Sequence, residues 1–205
     1  MSRSRTLSYG ISAALILLVG YVGWKFTSRQ AYESAQYTVV MSEGGFEVRD
    51  YAELMLVSTG MQFSSQGSDG SFSRLFRYIS GDNGEQQKVA MTIPVFMQRG
   101  NIRSDGSAKQ PGQMAFVVPR QVAKTGAPVP GNAQVSLRQR SSGKFAVLRF
   151  AGRMEDILLD EQESHLRAWM EQQNLKAAGP VEYAGYDPPW TPGFLRRNEI
   201  LIRVE

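Results

Sequence analysis

Few side chains in this sequence are of the types that carry out covalent or metal chemistry. The chain has 205 residues, no cysteine and a single histidine, His165. Without cysteine it cannot form a disulfide framework, a thiolate zinc site, an iron–sulfur cluster or a cysteine nucleophile. A Ser–His–acid triad would need His165, and no serine lies in a G-x-S-x-G elbow. These observations favour a protein that is not an enzyme, although paired carboxylates need no fixed spacing and leave acid–base chemistry open.

The segment FSRLFRYIS combines flat apolar side chains with cations. Four apolar residues recur at the i, i+3, i+4 and i+7 spacing of one helix face: Phe72, Leu75, Phe76 and Ile79. Arg74 and Arg77 belong to the same predicted helix, which the turn residues 81–84 end. The pattern leaves two interpretations open. The aromatic rings either fill the core or contact a ligand, and the arginines are either solvated or pair with an anionic group.

Histidine and methionine side chains can ligate metals, but both also have ordinary structural explanations in this sequence. His165 flanks the apolar arc of a predicted second helix, one turn before Trp169, and is either a boundary imidazole or a ligand. Met61, Met91 and Met97 offer thioethers, but a methionine among apolar neighbours usually fills a gap in the core. No methionine is therefore predicted as a ligand.

Of three charged segments, two are predicted to stabilise the fold and one to be solvated. Asp187, in the turn GYDPP, is expected to accept backbone hydrogen bonds. Asn198 and Glu199, in RRNE, are expected to satisfy neighbouring backbone groups and to pair with an arginine. The Arg49-Asp50 pair is predicted to be solvated.

The elements that position these residues alternate strands with two helices. Strands are predicted at 37–40, 46–51, 54–58, 89–98, 114–118, 135–139, 145–150, 181–186 and 200–204. Helices are predicted at 72–79 and 155–178, and 124–132 is predicted as an irregular connection. The order strand–strand–helix–strand occurs twice. We therefore predict an α+β fold in which a pseudo-twofold repeat forms a distorted antiparallel β-barrel flanked by two helices.

The N-terminal region predicts a membrane anchor. Residues 6–24 are uncharged, and about 1.5 Å of rise per residue lets such a helix span roughly 30 Å of hydrocarbon. We predict a tail and transmembrane helix over 1–25, with 7–24 in the membrane, and a polar tether over 26–36. The basic N-terminus is expected to stay in the cytoplasm, which makes the chain single-pass with an extracytoplasmic, periplasmic domain. A cleaved secretory signal is the alternative, but no convincing A-x-A site follows the apolar run.

The charge distribution argues against a nucleic-acid partner. The formal net charge of +4 comes from four basic residues within the first 30, whereas residues 31–205 carry equal numbers of acidic and basic side chains. Nucleic-acid binding needs a basic face that releases counterions from phosphates. The predicted domain has no such excess of positive charge.

Several segments resemble one known family. The run AGYDPPWTPGFLRRNEILIRV (184–204) is similar to a signature of the SOUL or haem-binding-protein family, and MTIPVFM (91–97) resembles its M-T-x-P-V element. FSRLFRYISG (72–81) resembles its first helix, and 145–152 resembles the strand before its second helix. The order and spacing agree, so the resemblance covers 37–205. It implies a pseudo-twofold β-barrel with two helices.

The resemblance also implies a function and a site. The family binds haem and other tetrapyrroles reversibly between the first helix and the barrel, in several members without an axial protein ligand. Carried onto this chain, it implies non-covalent haem binding by Phe72, Phe76, Arg74 and Arg77. His165 is the available imidazole for the iron. Where some members carry a lysine, this chain has Trp190-Thr191, and Trp190 is expected to cover the ring instead.

The resulting prediction is a membrane-anchored haem or tetrapyrrole carrier, buffer or sensor. Two alternatives stay open: a module for other planar amphipathic molecules, and an envelope interaction protein that has lost the ligand. The sequence does not identify any protein partner.

Overall fold

The computed structural model describes residues 29–63, 68–102 and 108–205. Its strands in chain order are β1 (Glu33–Ser34), β2 (Tyr37–Glu43), β3 (Phe46–Tyr51), β4 (Leu54–Met61), β5 (Thr92–Ile93), β6 (Val95–Gln98), β7 (Asn101–Ile102), β8 (Ala108–Gln110), β9 (Gly112–Val117), β10 (Val135–Arg140), β11 (Gly143–Phe150), β12 (Ala177–Gly185) and β13 (Asn198–Val204). The helices are α1 (Ser71–Ile79), α2 (Arg120–Thr125) and α3 (Asp156–Gln172), with 3-10 turns at Arg29–Ala31 and Gly193–Leu195.

One large antiparallel sheet dominates the fold. Its nine strands have the order β10-β4-β9-β6-β12-β13-β11-β3-β2. Outside it, β1 pairs with β5 in parallel and β7 pairs with β8. The combination of helices and an antiparallel sheet confirms the predicted α+β class.

The sheet has an internal twofold pattern that extends the predicted repeat. The first half runs β3-β4-α1-β6-β9 and the second runs β10-β11-α3-β12-β13. Equivalent strands make equivalent pairs, and β6 pairs with its own counterpart β12 at the centre. The first strand of each half pairs with the other half, since β3 lies beside β11 and β10 lies beside β4. The two halves therefore exchange strands.

The prediction of a barrel is wrong, because the sheet stays open. Its edge strands are β10 and β2, and they do not pair with each other. The two-residue links 52–53 and 141–142 nevertheless join strands from opposite ends of the sheet, so the sheet must curve strongly. Arg140 of β10 packs across the gap, with its guanidinium carbon 3.9 Å from the ring centroid of Phe145 and 4.9 Å from that of Tyr51. Across this gap, β10 contacts the other end of the sheet through a side chain and not through the backbone hydrogen bonds of a closed barrel.

The helices pack on hydrophobic clusters at either side of the central β6–β12 pair. Leu75, Tyr78 and Ile79 of α1 are buried with β4, β9 and β10. Leu159, Leu166, Trp169 and Met170 of α3 are buried with β11 and β13. Phe63 and Met97 pack against both clusters. They mark the seam between the halves.

Two details differ from the predicted elements. The described residues contain three α-helices rather than the two predicted. The additional helix, α2, follows Pro119 and was not predicted because its sequence has no apolar periodicity. Helix α3 ends at Gln172, before the predicted end at 178. Asn174 has a φ of 55°, a left-handed conformation that ends helices, and β12 already begins at Ala177.

The compact unit runs from Glu33 to Glu205. It includes β1, within the stretch predicted as a tether. No helix within 29–63, 68–102 and 108–205 is long and apolar enough to cross a membrane. The predicted anchor at 7–24 lies outside the described residues, so it stays a prediction.

Candidate functional site

A cleft of about 140 Å³ opens on the helix-bearing side of the sheet, between α1 and the segment that joins β12 to β13. Its apolar walls come from Phe63, Phe72, Val95, Met97, Met114 and Met154. The rest of the lining comes from Gly185, Asp187, Pro189, Arg196 and Asn198. The cleft is therefore mainly apolar, with one carboxylate and one guanidinium on the side of the joining segment.

A small residue, Gly185, lies on the floor of the cleft at the seam between the halves. Gly185 lies opposite Val95 in the β12–β6 pair. A Cβ built on Gly185 would lie 3.4 Å from the methyl carbon of Met154 and 3.6 Å from that of Met97. A larger side chain at position 185 would occupy the floor of the cleft.

The start of α1 positions the aromatic wall. Gly70 precedes the helix with a φ of 83°, and Asp69 accepts a hydrogen bond from the Ser71 backbone N–H at 3.0 Å. The backbone N–H of Gln62 donates to the same carboxylate at 2.7 Å. Burial alone would raise the pKa of Asp69, but these hydrogen bonds lower it below 3.8. The ionised carboxylate thereby ties the helix start to the end of β4.

Two stacked rings project from α1 beside the cleft. Phe72 lines the cleft and contacts Phe116 edge-on at 5.3 Å between centroids. Phe76 stacks on Phe72 with an interplanar angle of 14° and is 51% exposed. The rings are only partly covered by the core, so they present apolar area to a ligand.

The opposite wall is a proline-rich segment held by its own charged residues. Asp187 accepts a hydrogen bond from the Arg197 backbone N–H at 2.6 Å, as predicted for this turn. Arg196 donates to the carbonyl oxygens of Thr191, at 2.8 Å, and Pro189. These bonds hold Trp190 at the surface, where it is 75% exposed. Phe194 and Leu195 are also exposed on this segment.

A buried ion network supports that segment from the other side of β13. Glu199 is completely buried and accepts from Arg49 at 2.7 and 3.1 Å and from Arg197 at 2.6 and 2.9 Å. Tyr186 donates to Glu199 at 2.8 Å. Burial alone would raise the pKa of Glu199, but the two guanidinium groups lower it below 4.5. The predicted pairing of Glu199 with an arginine is confirmed.

Arg49 contradicts its prediction as a solvated charge. Only 1% of its surface is exposed, and its guanidinium carbon lies 4.2 Å from the ring centroid of Tyr37. A nearby carboxylate, Glu47, accepts from Arg49 at 2.5 Å. The alternating strand pattern predicted β3 but gave no sign that this arginine points inward.

The structure brings some of the predicted ligand contacts to the cleft and not others. Phe72 lines it, Phe76 stacks beside it, and Trp190 follows the cleft residue Pro189. Arg77 is exposed in the last turn of α1. Arg74 instead donates to Thr59 Oγ1 at 3.0 Å and to the Gly60 carbonyl at 2.7 Å. Its guanidinium thus links α1 to β4.

His165 lies away from the cleft lining. It is exposed on α3, whose buried face is formed by other residues. Its role as an iron ligand stays a prediction. Within the described residues, no group of three histidine or acidic side chains is arranged to hold a metal ion.

Of the residues that line the cleft, sequence reasoning assigned only Phe72 to a ligand site; Met114, Met154, Gly185 and Arg196 are among those it missed. Met114 and Met154 looked like ordinary apolar residues of a strand and a helix start. Arg196 was predicted only as part of a fold-defining motif. The position of RRNE directly after an exposed Trp-Thr-Pro-Gly-Phe-Leu segment was the one available signal for it.

The fold defines a class of α+β protein in which two β-β-α-β-β halves meet at an apolar cleft. The sequence model of the family described as SOUL heme-binding protein matches residues 32–203. The chain belongs to the SOUL family. This confirms the resemblance inferred from the sequence, and it places the chain in a family characterised by ligand binding. No curated protein sequence matches the chain.

Solved structures show the same fold at low identity. A cryo-EM structure of the EcmrR–DNA complex has a TM-score of 0.58 at 12% identity, over 99% of this chain and 69% of that one. The EcmrR C-terminal domain gives 0.53 at 13% identity, over 82% of this chain and 98% of its own. A hydrolase from Listeria innocua gives 0.56 at 10% identity, over 81% and 94%. These likenesses concern the fold alone.

Proposed function

We propose that this chain binds haem or a related tetrapyrrole, non-covalently and without chemical conversion, at the mouth of the cleft. Family membership supports the ligand class. The observation that carries the location is the pair of exposed apolar walls, Phe72 with Phe76 on α1 and Pro189 with Trp190 opposite. Flat rings on two sides of an opening suit a planar apolar ligand.

The size of the cleft determines how such a ligand binds. Pockets that enclose drug-sized ligands have volumes of roughly 300–1,000 Å³. At about 140 Å³, the cleft has no room for a whole porphyrin. The ring therefore lies across the mouth, against Phe72 and Phe76, with Trp190 available to cover its exposed face.

Two arginines are the candidates for the propionate carboxylates. Arg196 lines the cleft, and Arg77 is exposed on the helix that carries the aromatic wall. Guanidinium groups pair well with carboxylates. Arg74 is a weaker candidate than the sequence indicated, because its hydrogen bonds to β4 already use the guanidinium.

A haemin titration tests the proposal. The purified full chain should give a saturable Soret shift at one equivalent of haemin. Phe76→Ser should weaken binding roughly tenfold, since losing an apolar ring contact costs about 1–2 kcal/mol. Val129→Ser is the matched control, because Val129 is an exposed apolar residue that does not line the cleft. No Soret shift, or equal weakening in both variants, would refute the proposal.

The same titration separates the alternative ligand class. Asp187 adds a carboxylate to the cleft, and this favours neutral or cationic planar molecules over a dianion. Binding of a cationic aromatic dye in place of haemin would support that function. Binding of neither compound would leave an interaction protein that has lost its ligand.

We further propose that residues 7–24 anchor the chain in a membrane, with the binding domain on the extracytoplasmic side. The support is the uncharged apolar sequence between Arg5 and Lys25. The full chain should stay with membranes after alkaline carbonate extraction, whereas Leu15→Arg combined with Leu18→Arg should release it. Release of the unmodified chain by carbonate would contradict the anchor.

A further inference from the structure

Three methionine side chains line the cleft: Met97, Met114 and Met154. Met97 and Met114 are direct partners in the β6–β9 pair. Side chains at such positions stand on one face of the sheet with Cβ atoms about 4.5–5.5 Å apart. Met154 arrives from the segment before α3, and its methyl carbon converges with that of Met97 over Gly185. Met97 is therefore a neighbour of Met114 through strand pairing and of Met154 across Gly185.

The sulfur donors determine which metal ion such a site would bind. Thioethers are soft, uncharged donors that select Cu(I) among the biological metals, whereas carboxylates and imidazoles suit harder or borderline ions. The described residues hold no cluster of three histidine or acidic side chains that would favour such ions. A thioether set without thiolates therefore selects Cu(I) and its analogue Ag(I).

The setting differs from that of methionines that only fill a core. Met114 is buried, but Met97 and Met154 are half-buried beside an opening that gives an ion access. The methionine side chain has three rotatable bonds, so neighbouring sulfur atoms can turn toward one centre. The Met114 Sδ already acts as an acceptor, for the Ser71 hydroxyl at 3.7 Å.

We propose that Met97, Met114 and Met154 form a binding site for one Cu(I) ion on the floor of the cleft. The site goes beyond haem binding and does not depend on it, because its donors lie below the mouth where the planar ligand is placed. Leucine has nearly the volume of methionine and no donor atom, so it removes a ligand and preserves the packing.

An anaerobic competition with Cu(I)–bicinchoninate tests the site on the full chain. The unmodified protein should withdraw one equivalent of Cu(I) from the chelator. Met97→Leu and Met154→Leu should each lower the Cu(I) affinity at least about tenfold. Mutating residues that only support the ligands of a metal already costs about that much, so losing a ligand should cost no less. Met41→Leu is the matched control, since Met41 is half-buried in β2 at the edge of the sheet. Its affinity should equal that of the unmodified chain.

A second readout identifies the donors directly. With methyl-¹³C methionine labelling, added Ag(I) should shift three methyl resonances, those lost in Met97→Leu, Met114→Leu and Met154→Leu. No withdrawal of Cu(I), an equal loss in Met41→Leu, or Ag(I) shifts at other methionines would overturn the proposal. Haemin titration of the unmodified chain keeps the two functions apart, because a failed Soret shift there refutes haem binding and leaves the Cu(I) result unaffected.

Discussion

At the scale of single residues, one buried carboxylate of the sheet, Glu199, collects two guanidinium groups. Glu199 has two guanidinium partners, and each guanidinium also lies on an aromatic ring: Arg49 on Tyr37 and Arg197 on Tyr186. Breaking a buried ion pair from one side costs about 3–5 kcal/mol, because the remaining charge keeps its desolvation penalty. Losing the charge of Glu199 would therefore leave two buried guanidinium groups without this carboxylate.

Glu199→Gln should lower the free energy of unfolding at pH 7 by about 3–5 kcal/mol, because Arg49 and Arg197 lose their carboxylate. The folded pKa of Glu199 lies below its ordinary value of 4.5, so ionised Glu199 stabilises the fold above that pH. This stabilisation is lost as the pH falls through the folded pKa. The difference between the unmodified chain and the variant should therefore shrink in urea unfolding from pH 7 to pH 3.

A matched control and a contradicting result are available for this prediction. Glu163→Gln removes a partly exposed pair with Arg167 on α3 but keeps an oxygen that can accept from the Tyr183 hydroxyl, so it should cost less than about 1 kcal/mol. If the stability difference caused by Glu199→Gln stays constant with pH, the charge of this carboxylate is not its source.

At the scale of elements, the sequence predicts what has a strong period and misses what depends on tertiary contacts. Alternation predicts β3, and the i, i+3, i+4 pattern predicts α1, because a strong period in the sequence needs no knowledge of tertiary contacts. The six-residue helix α2 buries none of its residues, so it has no such trace. The open edge between β10 and β2 is equally invisible, because strand pairing across the sheet is not encoded locally.

The candidate site shows the same division. Phe72 was predictable because a helix face and a family resemblance both indicate it. Met114 and Met154 were not, because they reach the cleft from a strand and a loop that lie far apart in sequence. Arg74 has the right charge on the right helix, but its hydrogen bonds to Thr59 and Gly60 depend on how α1 meets β4.

At the scale of the whole molecule, strand exchange makes the two halves interdependent. Three strand pairs cross from one half to the other: β3 with β11, β10 with β4, and β6 with β12. The cleft also lies on this boundary, with Met97 from the first half and Gly185 from the second. Neither half can form the site alone, so the integrity of the boundary determines whether any ligand binds.

Cutting the chain between the halves tests this interdependence. A protease site inserted between Gly126 and Ala127 falls at an exposed position where no side chain crowds Gly126. After cleavage the two pieces should co-elute in size-exclusion chromatography and keep the far-UV circular dichroism of the uncut insertion variant, which is the control. Their unfolding midpoint in urea should fall and become dependent on protein concentration, because refolding is now bimolecular. Pieces that separate without denaturant would mean that each half completes its own sheet, contrary to the exchanged strands.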